Sequence, residues 1–324
     1  MTTNNAPNNN NNNDNKNETS SIITMLVSNV VKTVLYALRY PATQTDLVGE
    51  FRVGAIQARI PGTVACQIHY PTLDEASSSS SSTSTPYMRP AAVQGIADYS
   101  RQSPQLLSFL SQRAHPCIMN ASPIIKDDDD NNKKFPIVVF SHGLGGCMEM
   151  YTTLCQQIAS LGYYVVALEH EDGSGAYAEE SCENNNNKKR PIFYKRPDDT
   201  PYSRHKVVNF RRAFLAQRVQ EIDQVLNYLK QQSQSTTSTK ANDDDKEQAL
   251  LRHVLAAADY QQGVHLLGHS FGGATMVLAR QDEAFTQRHR VQSLTVMDCW
   301  AFSLPDTSLE QRCGGDVPVL SFLS

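Results

Sequence analysis

Hydrophobic positions along the chain switch between a two-residue and a three-to-four-residue period. Phe51 to Ile60 and Thr63 to Tyr70 are β-rich runs parted by Pro61-Gly62, a turn pair that predicts an opening hairpin. Pro136 to Phe140 is a short apolar run. Tyr151, Leu154, Cys155, Ile158 and Leu161 then recur at helical spacing, Gly162 stands where a helix cap is expected, and Tyr163 to Leu168 returns to strand character. Together these segments predict a strand-helix-strand unit. A longer helix is predicted from about Val207 to Leu229, with Leu215, Val219, Ile222, Leu226 and Leu229 on one stripe. Val264 to Leu267, Val291 to Met297 and Val317 to Leu323 read as strands, with a helix at Thr275 to Arg280. Such alternation specifies an α/β architecture: a mostly parallel sheet with helices on both faces and no internal repeat.

Polar tracts interrupt this alternation at Ser77 to Ser82, Asp127 to Lys134, Glu183 to Lys189 and Gln231 to Lys246, and read as solvated surface insertions. Residues 1–20 are dominated by asparagine, bury too little apolar surface to offset ordering entropy, and are predicted to be disordered. In residues 21–44, Ile23, Leu26, Val30, Val31, Val34 and Leu35 outline an amphipathic helix within Ile22 to Leu38. That helix either packs on the domain or lies on a lipid surface. Ser28, Asn29 and Lys32 inside it, and the lack of a basic n-region before its apolar run, argue against a signal peptide. Residues 45–324 are expected to form one domain.

Composition narrows the function classes. The net charge of −4 gives no field that gathers phosphate backbones, which excludes nucleic-acid binding as the expected role. Seven cysteines with no Cys-x-x-Cys pair argue against a disulfide framework and for a reducing, cytoplasmic setting.

The chemistry concentrates after four of the predicted strands. Gly268-His269-Ser270-Phe271-Gly272 lies between a strand and a helix, the setting in which Gly-x-Ser-x-Gly forms a sharp elbow and exposes the serine hydroxyl at the sheet edge. The alternative is a structural glycine turn. Ser141-His142-Gly143-Leu144-Gly145-Gly146 follows the strand at Pro136 to Phe140; a glycine-rich turn there aims backbone N–H groups at a developing oxyanion, unless it is merely structural. The N–H groups of Leu144 and Phe271 form the expected donor pair. Asp298 ends the strand after the elbow, where an acid orients a histidine or caps a turn. Glu169-His170-Glu171-Asp172 suits a strand end entering a loop, in support of the site, better than a metal centre. Neither metal nor cofactor is expected.

Four segments carry a resemblance: Phe135 to Gly145, Val165 to Asp172, Gly268 to Thr275 and Met297 to Phe302, the last containing Asp298-Cys299-Trp300. Together they resemble the plasma and type II intracellular platelet-activating factor acetylhydrolases of the α/β-hydrolase superfamily, over most of residues 45–324. The resemblance implies a calcium-independent serine esterase, of phospholipase A2 type, that removes acetyl or short acyl chains from the sn-2 position of phospholipids. It implies Ser270 as nucleophile, Asp298 as orienting acid, and the Leu144 and Phe271 amides as oxyanion hole.

One departure stands out. In this class the histidine base follows the acid in chain order, and no histidine follows Asp298. The first expectation is a C-terminally incomplete domain lacking its last strand and histidine loop. The others are an upstream substitute among His142, His170 and His269, or a catalytically impaired lipid-binding relative. A general short-chain carboxylesterase is the broader enzymatic alternative.

Overall fold

The computed structural model describes residues 46–75, 85–125, 134–181, 189–197, 204–234, 246–310 and 317–323. The chain divides into two units, residues 1–45 and Asp46–Ser324. The asparagine-rich tail, the Ile22 to Leu38 segment, the Ser77 to Ser82 tract and most of the other three insertions lie outside the described residues.

In chain order the second unit contains the hairpin β1 (Arg52–Arg59) and β2 (Ala65–Thr72), helix α1 (Pro90–Ser100), the two-residue β3 (Ile118–Met119) and β4 (Phe135–Ser141). Helix α2 (Thr152–Ser160), β5 (Tyr164–Leu168), the antiparallel pair β6 (Tyr177–Ser181) and β7 (Lys189–Phe193), and the long α3 (Arg204–Gln234) follow. The chain continues through α4 (Lys246–Ala256), β8 (Ala258–His269), α5 (Phe271–Gln281), α6 (Glu283–His289), β9 (Val291–Met297) and β10 (Val319–Phe322). Eight strands make one sheet in the order β10-β9-β8-β4-β5-β2-β1-β3. From β5 through β4, β8 and β9 to β10 all neighbours are parallel, and β2 runs antiparallel to both β5 and β1.

The unbroken apolar runs of the central strands follow from burial on both faces. In β4, Ile137 and Val139 belong to the larger core cluster, with Ile222, Leu226, Leu251 and Ala274 of the helices on that side. Val138 and Phe140 point the other way, into the cluster that contains Cys155 and Ala159 of α2. Leu215, Ile222, Leu226 and Leu229 of α3 are buried as their stripe predicts, and Val219 is half-buried. Two further members of that face, Arg211 and Arg218, are also buried, which the apolar stripe alone does not suggest.

The α2 face keeps its apolar pattern at Tyr151, Leu154, Cys155 and Ile158, which pack on the core, and departs from it at its polar edge and at Leu161. Thr152, Cys155, Gln156, Ala159 and Ser160 are buried while Leu161 is 56% exposed. Hydrogen bonds turn the helix onto its polar edge: Gln67 Nε2 donates to Thr152 Oγ1 (2.7 Å), Gly49 N–H to Ser160 Oγ (3.0 Å) and Phe51 N–H to the Ser160 carbonyl (3.1 Å). Gly162 takes φ +92° just beyond the helix, as a C-terminal cap requires. Helices α1 and α4 and the β6–β7 pair are not marked in the sequence reading. Lys189, assigned there to a surface insertion, begins β7, and α3 and α4 extend into both ends of the Gln231 to Lys246 tract. Among the described residues no helix is long and apolar enough to cross a membrane.

Burial holds a histidine neutral beneath the sheet. His69 on β2 has no exposed surface, and desolvation depresses its pKa to about 3 from the ordinary 6.5, with His115 adding repulsion. Between those values the unfolded chain takes up a proton that the folded chain refuses, so this group removes stability as pH falls through that window. Measured by urea unfolding, His69→Gln is expected to gain about 2 kcal/mol relative to the parent chain between pH 7.5 and pH 4.5. Parallel pH profiles for the two proteins would show that His69 is protonated in the fold.

Candidate active site

Parallel pairing of β8 and β9 sets the site. His269 is paired with Met297, so the next residues, Ser270 and Asp298, leave adjacent strand ends at equal height. Both have positive φ, 53° and 48°, a region unfavourable to residues with a Cβ. Ser270, with ψ −116°, is the turn between β8 and α5. Its N–H donates to the Met297 carbonyl (2.8 Å), while its own carbonyl accepts from Ala274 of α5 (3.2 Å) and from Trp300 (3.0 Å). Asp298 N–H in turn donates to the Phe322 carbonyl on β10 (2.8 Å). Three consecutive strands thus hold the two residues by their backbones, which leaves Ser270 partly and Asp298 largely exposed.

The elbow's glycines are there for close approach. A Cβ at Gly268 would lie 2.4 Å from the Gly272 carbonyl oxygen, and one at Gly272 would lie 2.0 Å from the Ser141 carbonyl oxygen. Helix α5 therefore starts in backbone contact with the end of β4, which brings the turn after β4 beside the serine. Gly143 faces Ser270 so closely that a Cβ would stand 3.2 Å from the serine Cβ.

Hydrogen bonds divide the turn into occupied and unoccupied amides. Gly143 N–H faces the Tyr151 hydroxyl (3.4 Å), Gly145 N–H, at φ +66°, donates to the Ser174 carbonyl (2.8 Å), and Gly146 N–H donates to the Gly143 carbonyl (3.1 Å). The Leu144 N–H has no acceptor among the described residues. The Phe271 N–H, at the first position of α5, has no intrahelical acceptor. These two are the N–H groups the sequence singles out.

Three upstream histidines have definite places. His142 and His170 are fully buried, and desolvation together with the Arg218 charge holds both imidazoles well below their usual range. His142 Nδ1–H donates to the Gly143 carbonyl (2.8 Å). His170 Nε2 lies 2.8 Å from Ser141 Oγ, and Nδ1 lies 2.7 Å from Glu221 Oε2. Burial raises the Glu221 carboxyl to about 8, and carboxyl, imidazole and Ser141 hydroxyl form one hydrogen-bonded chain. His269 is half-buried, its Nδ1 hydrogen-bonded to the Tyr151 hydroxyl (2.7 Å). Desolvation lowers its pKa, against the pull of the nearby Asp298 charge. Among the described residues no imidazole is hydrogen-bonded to the Ser270 hydroxyl.

The acidic cluster disperses into separate partners. Glu169 shares Arg89 with Glu149, His170 takes Glu221, Glu171 pairs with Arg59 (2.7 Å), and Asp172 pairs with Arg218 (3.0 Å). Among the described residues no three such side chains are grouped to hold a metal ion. Arg218, Ser174 and Glu221 are absent from the sequence reading. The available signal was a charge on the apolar stripe of α3: Arg218 stands between Leu215 and Ile222, where a solvated face is ruled out.

Residues 41–320 match the family model of platelet-activating factor acetylhydrolase, isoform II. A platelet-activating factor acetylhydrolase of Gallus gallus is 27% identical over 191 residues, covering 55% of this chain and 42% of that protein. One of Bos taurus is 27% identical over 178 residues, 54% of this chain and 37% of that protein. The match thus spans less than half the length of these curated relatives. Among solved structures, a ferulic acid esterase from Streptomyces cinnamoneus superposes with a TM-score of 0.51 at 18% identity, over 86% of this chain and 66% of that one. The fold is that of the α/β-hydrolases.

Proposed function

This chain belongs to the platelet-activating factor acetylhydrolase isoform II family, and from that premise we propose that it is a serine esterase acting on acetyl or short sn-2 acyl esters of phospholipids like platelet-activating factor. The observation that carries the reading is the strained Ser270 elbow, set beside Asp298 at one register and pressed against a turn whose Leu144 amide has no acceptor among the described residues. Ser270 Oγ attacks the ester carbonyl, the Leu144 and Phe271 N–H groups receive the oxyanion, and the adduct collapses with loss of the lysophospholipid alcohol before water frees the acyl group. Asp298 stands where the acid that orients a histidine base belongs, and no described imidazole is hydrogen-bonded to Ser270 to serve as that base. The reading needs no metal or cofactor. A cytoplasmic location, with the Ile22 to Leu38 segment resting on lipid, belongs to the same proposal.

A second reading, a lipid-binding relative with impaired catalysis, is favoured by one observation: no described imidazole reaches the Ser270 hydroxyl, and a serine without a base is a weak nucleophile near neutral pH. A fluorophosphonate probe and an acetylated ether phospholipid separate the two. The esterase is expected to take one label, at Ser270, and to release acetate. Folded protein that binds phospholipid vesicles yet does neither is the lipid-binding relative. Turnover of a simple aryl acetate with none of the phospholipid identifies a general carboxylesterase.

A further inference from the structure

The most heavily committed side chain near the site is one the proposed chemistry does not use. Arg218, fully buried on α3, spends its guanidinium on four residues of two loops. Nε donates to Asp172 Oδ2 (3.0 Å) and Ser174 Oγ (3.1 Å), and Nη2 donates to Ser174 Oγ (2.6 Å). Nη1 donates to the His142 carbonyl (2.6 Å) and lies 3.3 Å from Ser141 Oγ. The same guanidinium lies 4.8 Å from the centre of the Phe271 ring. It therefore touches both halves of the expected oxyanion hole, the turn that carries Leu144 and the residue after the serine.

We propose that Arg218 is a positioning residue that aims the Leu144 and Phe271 N–H groups at the substrate oxyanion, an inference that rests on the esterase reading above. The turn is held at each residue but one. Ser141 is fixed through its hydroxyl by Arg218 and His170, and His142 through its carbonyl by Arg218. Gly143 is fixed through its carbonyl by His142, and Gly145 through its N–H by Ser174, whose hydroxyl Arg218 also engages. Leu144 N–H is the group left over, and its direction is set by the four restraints around it.

Energetics point the same way. A buried ion pair such as Arg218–Asp172 loses in desolvation roughly what it gains in attraction, and apolar residues of similar volume often stabilise as well. Position 218 lies on the apolar stripe, where a leucine or methionine would pack without that cost. What an apolar side chain lacks is a planar fork that binds a carbonyl, a hydroxyl and a carboxylate at fixed angles. Donors placed in advance of charge development are the most effective kind, and losing one costs about 10²–10³ in kcat.

The test uses the full chain, Ser174→Ala, and the paired variant Arg218→Met with Asp172→Asn, which leaves no uncompensated buried charge. Active sites are titrated with a fluorophosphonate, and kcat and KM for an aryl acetate are expressed per titrated site. Affinity is then measured for a trifluoromethyl ketone, which forms a tetrahedral adduct, and for the corresponding methyl ketone. The paired variant is expected to lose about 100-fold in kcat with KM within about threefold, and to lose trifluoromethyl ketone affinity in proportion while methyl ketone affinity holds. Ser174→Ala is expected to show the same pattern at about tenfold, and it decides the matter where the paired variant does not fold. Unchanged kcat per titrated site and unchanged trifluoromethyl ketone affinity, with only the titratable fraction or melting temperature reduced, would make Arg218 purely structural and overturn the proposal. A folded parent chain that neither labels nor turns over overturns the esterase reading and this inference with it, and so is distinguishable from failure of the positioning role alone.

Discussion

Ser270→Gly is expected to raise the melting temperature by about 2–4 °C while abolishing fluorophosphonate labelling and reducing esterase turnover by 10⁴-fold or more. The two effects share one cause. Ser270 is held at φ 53°, ψ −116° by hydrogen bonds to Met297, Ala274 and Trp300, a backbone state that strains any residue carrying a Cβ by about 1–3 kcal/mol. Glycine adopts it freely, and its larger unfolded-state entropy returns only about 0.5–1 kcal/mol of that gain. The net is about 1 kcal/mol of added stability at the residue on which the proposed chemistry depends. Ser270→Ala separates the contributions, since it removes the hydroxyl and keeps the Cβ: its activity is expected to match the glycine variant and its melting temperature the parent. A glycine variant less stable than the alanine one would show that the elbow is not strained.

Gly272→Ala is expected to be strongly damaging, lowering the melting temperature by more than about 10 °C or preventing soluble expression. Its Cβ would meet the Ser141 carbonyl oxygen at 2.0 Å and the His142 carbonyl oxygen at 2.7 Å, both backbone atoms that cannot rotate away. Relief requires α5 to withdraw from β4, which opens the core around Phe271, Ala274 and Val139 and breaks the approach of the two expected oxyanion donors. Gly273→Ala is the control: its Cβ stands 3.3 Å from Cys299 Cα, so a shift of a few tenths of an ångström accommodates it. Thermal melts of the two variants, one residue apart on one helix, should differ by several kcal/mol. Equal melts would mean that α5 can draw back from the end of β4 at little cost and that the backbone contact at Gly272 is not a constraint.

How far the sequence could be read depended on whether the cause of a feature was local. The apolar runs of β4, β5 and β9 and the α3 stripe were legible because burial imposes a period, and the period survives in the order of the residues. The elbow was legible for a related reason: backbone contact at Gly268 and Gly272 excludes every side chain, so the motif and the steric constraint are the same fact. In α2 the local signal was right but incomplete. Tyr151, Leu154, Cys155 and Ile158 pack on the core as their spacing predicts, while hydrogen bonds to Gln67, Gly49 and Phe51, all distant in sequence, also turned Thr152 and Ser160 inward.

The support of the site lay beyond that reach. Arg218 joins residues 141, 142, 172 and 174, and Glu221 reaches Ser141 through His170, across separations of about 30 to 80 residues that no spacing rule encodes. The sequence could show only that a charge stood on an apolar stripe. By itself, then, the chain order determined the alternating architecture, a glycine-flanked turn from strand to helix at Ser270, a second glycine-rich turn at Gly143 to Gly145 and an acid, Asp298, at a strand end, because each is dictated by neighbours within a few residues. The pairing of strand ends that puts Ser270 beside Asp298, the burial that keeps His142 and His170 neutral, and the single guanidinium beneath the Leu144 turn were decided by tertiary structure alone. Desolvation and hydrogen-bond geometry depend on what surrounds a group in space, and the sequence does not carry that information position by position.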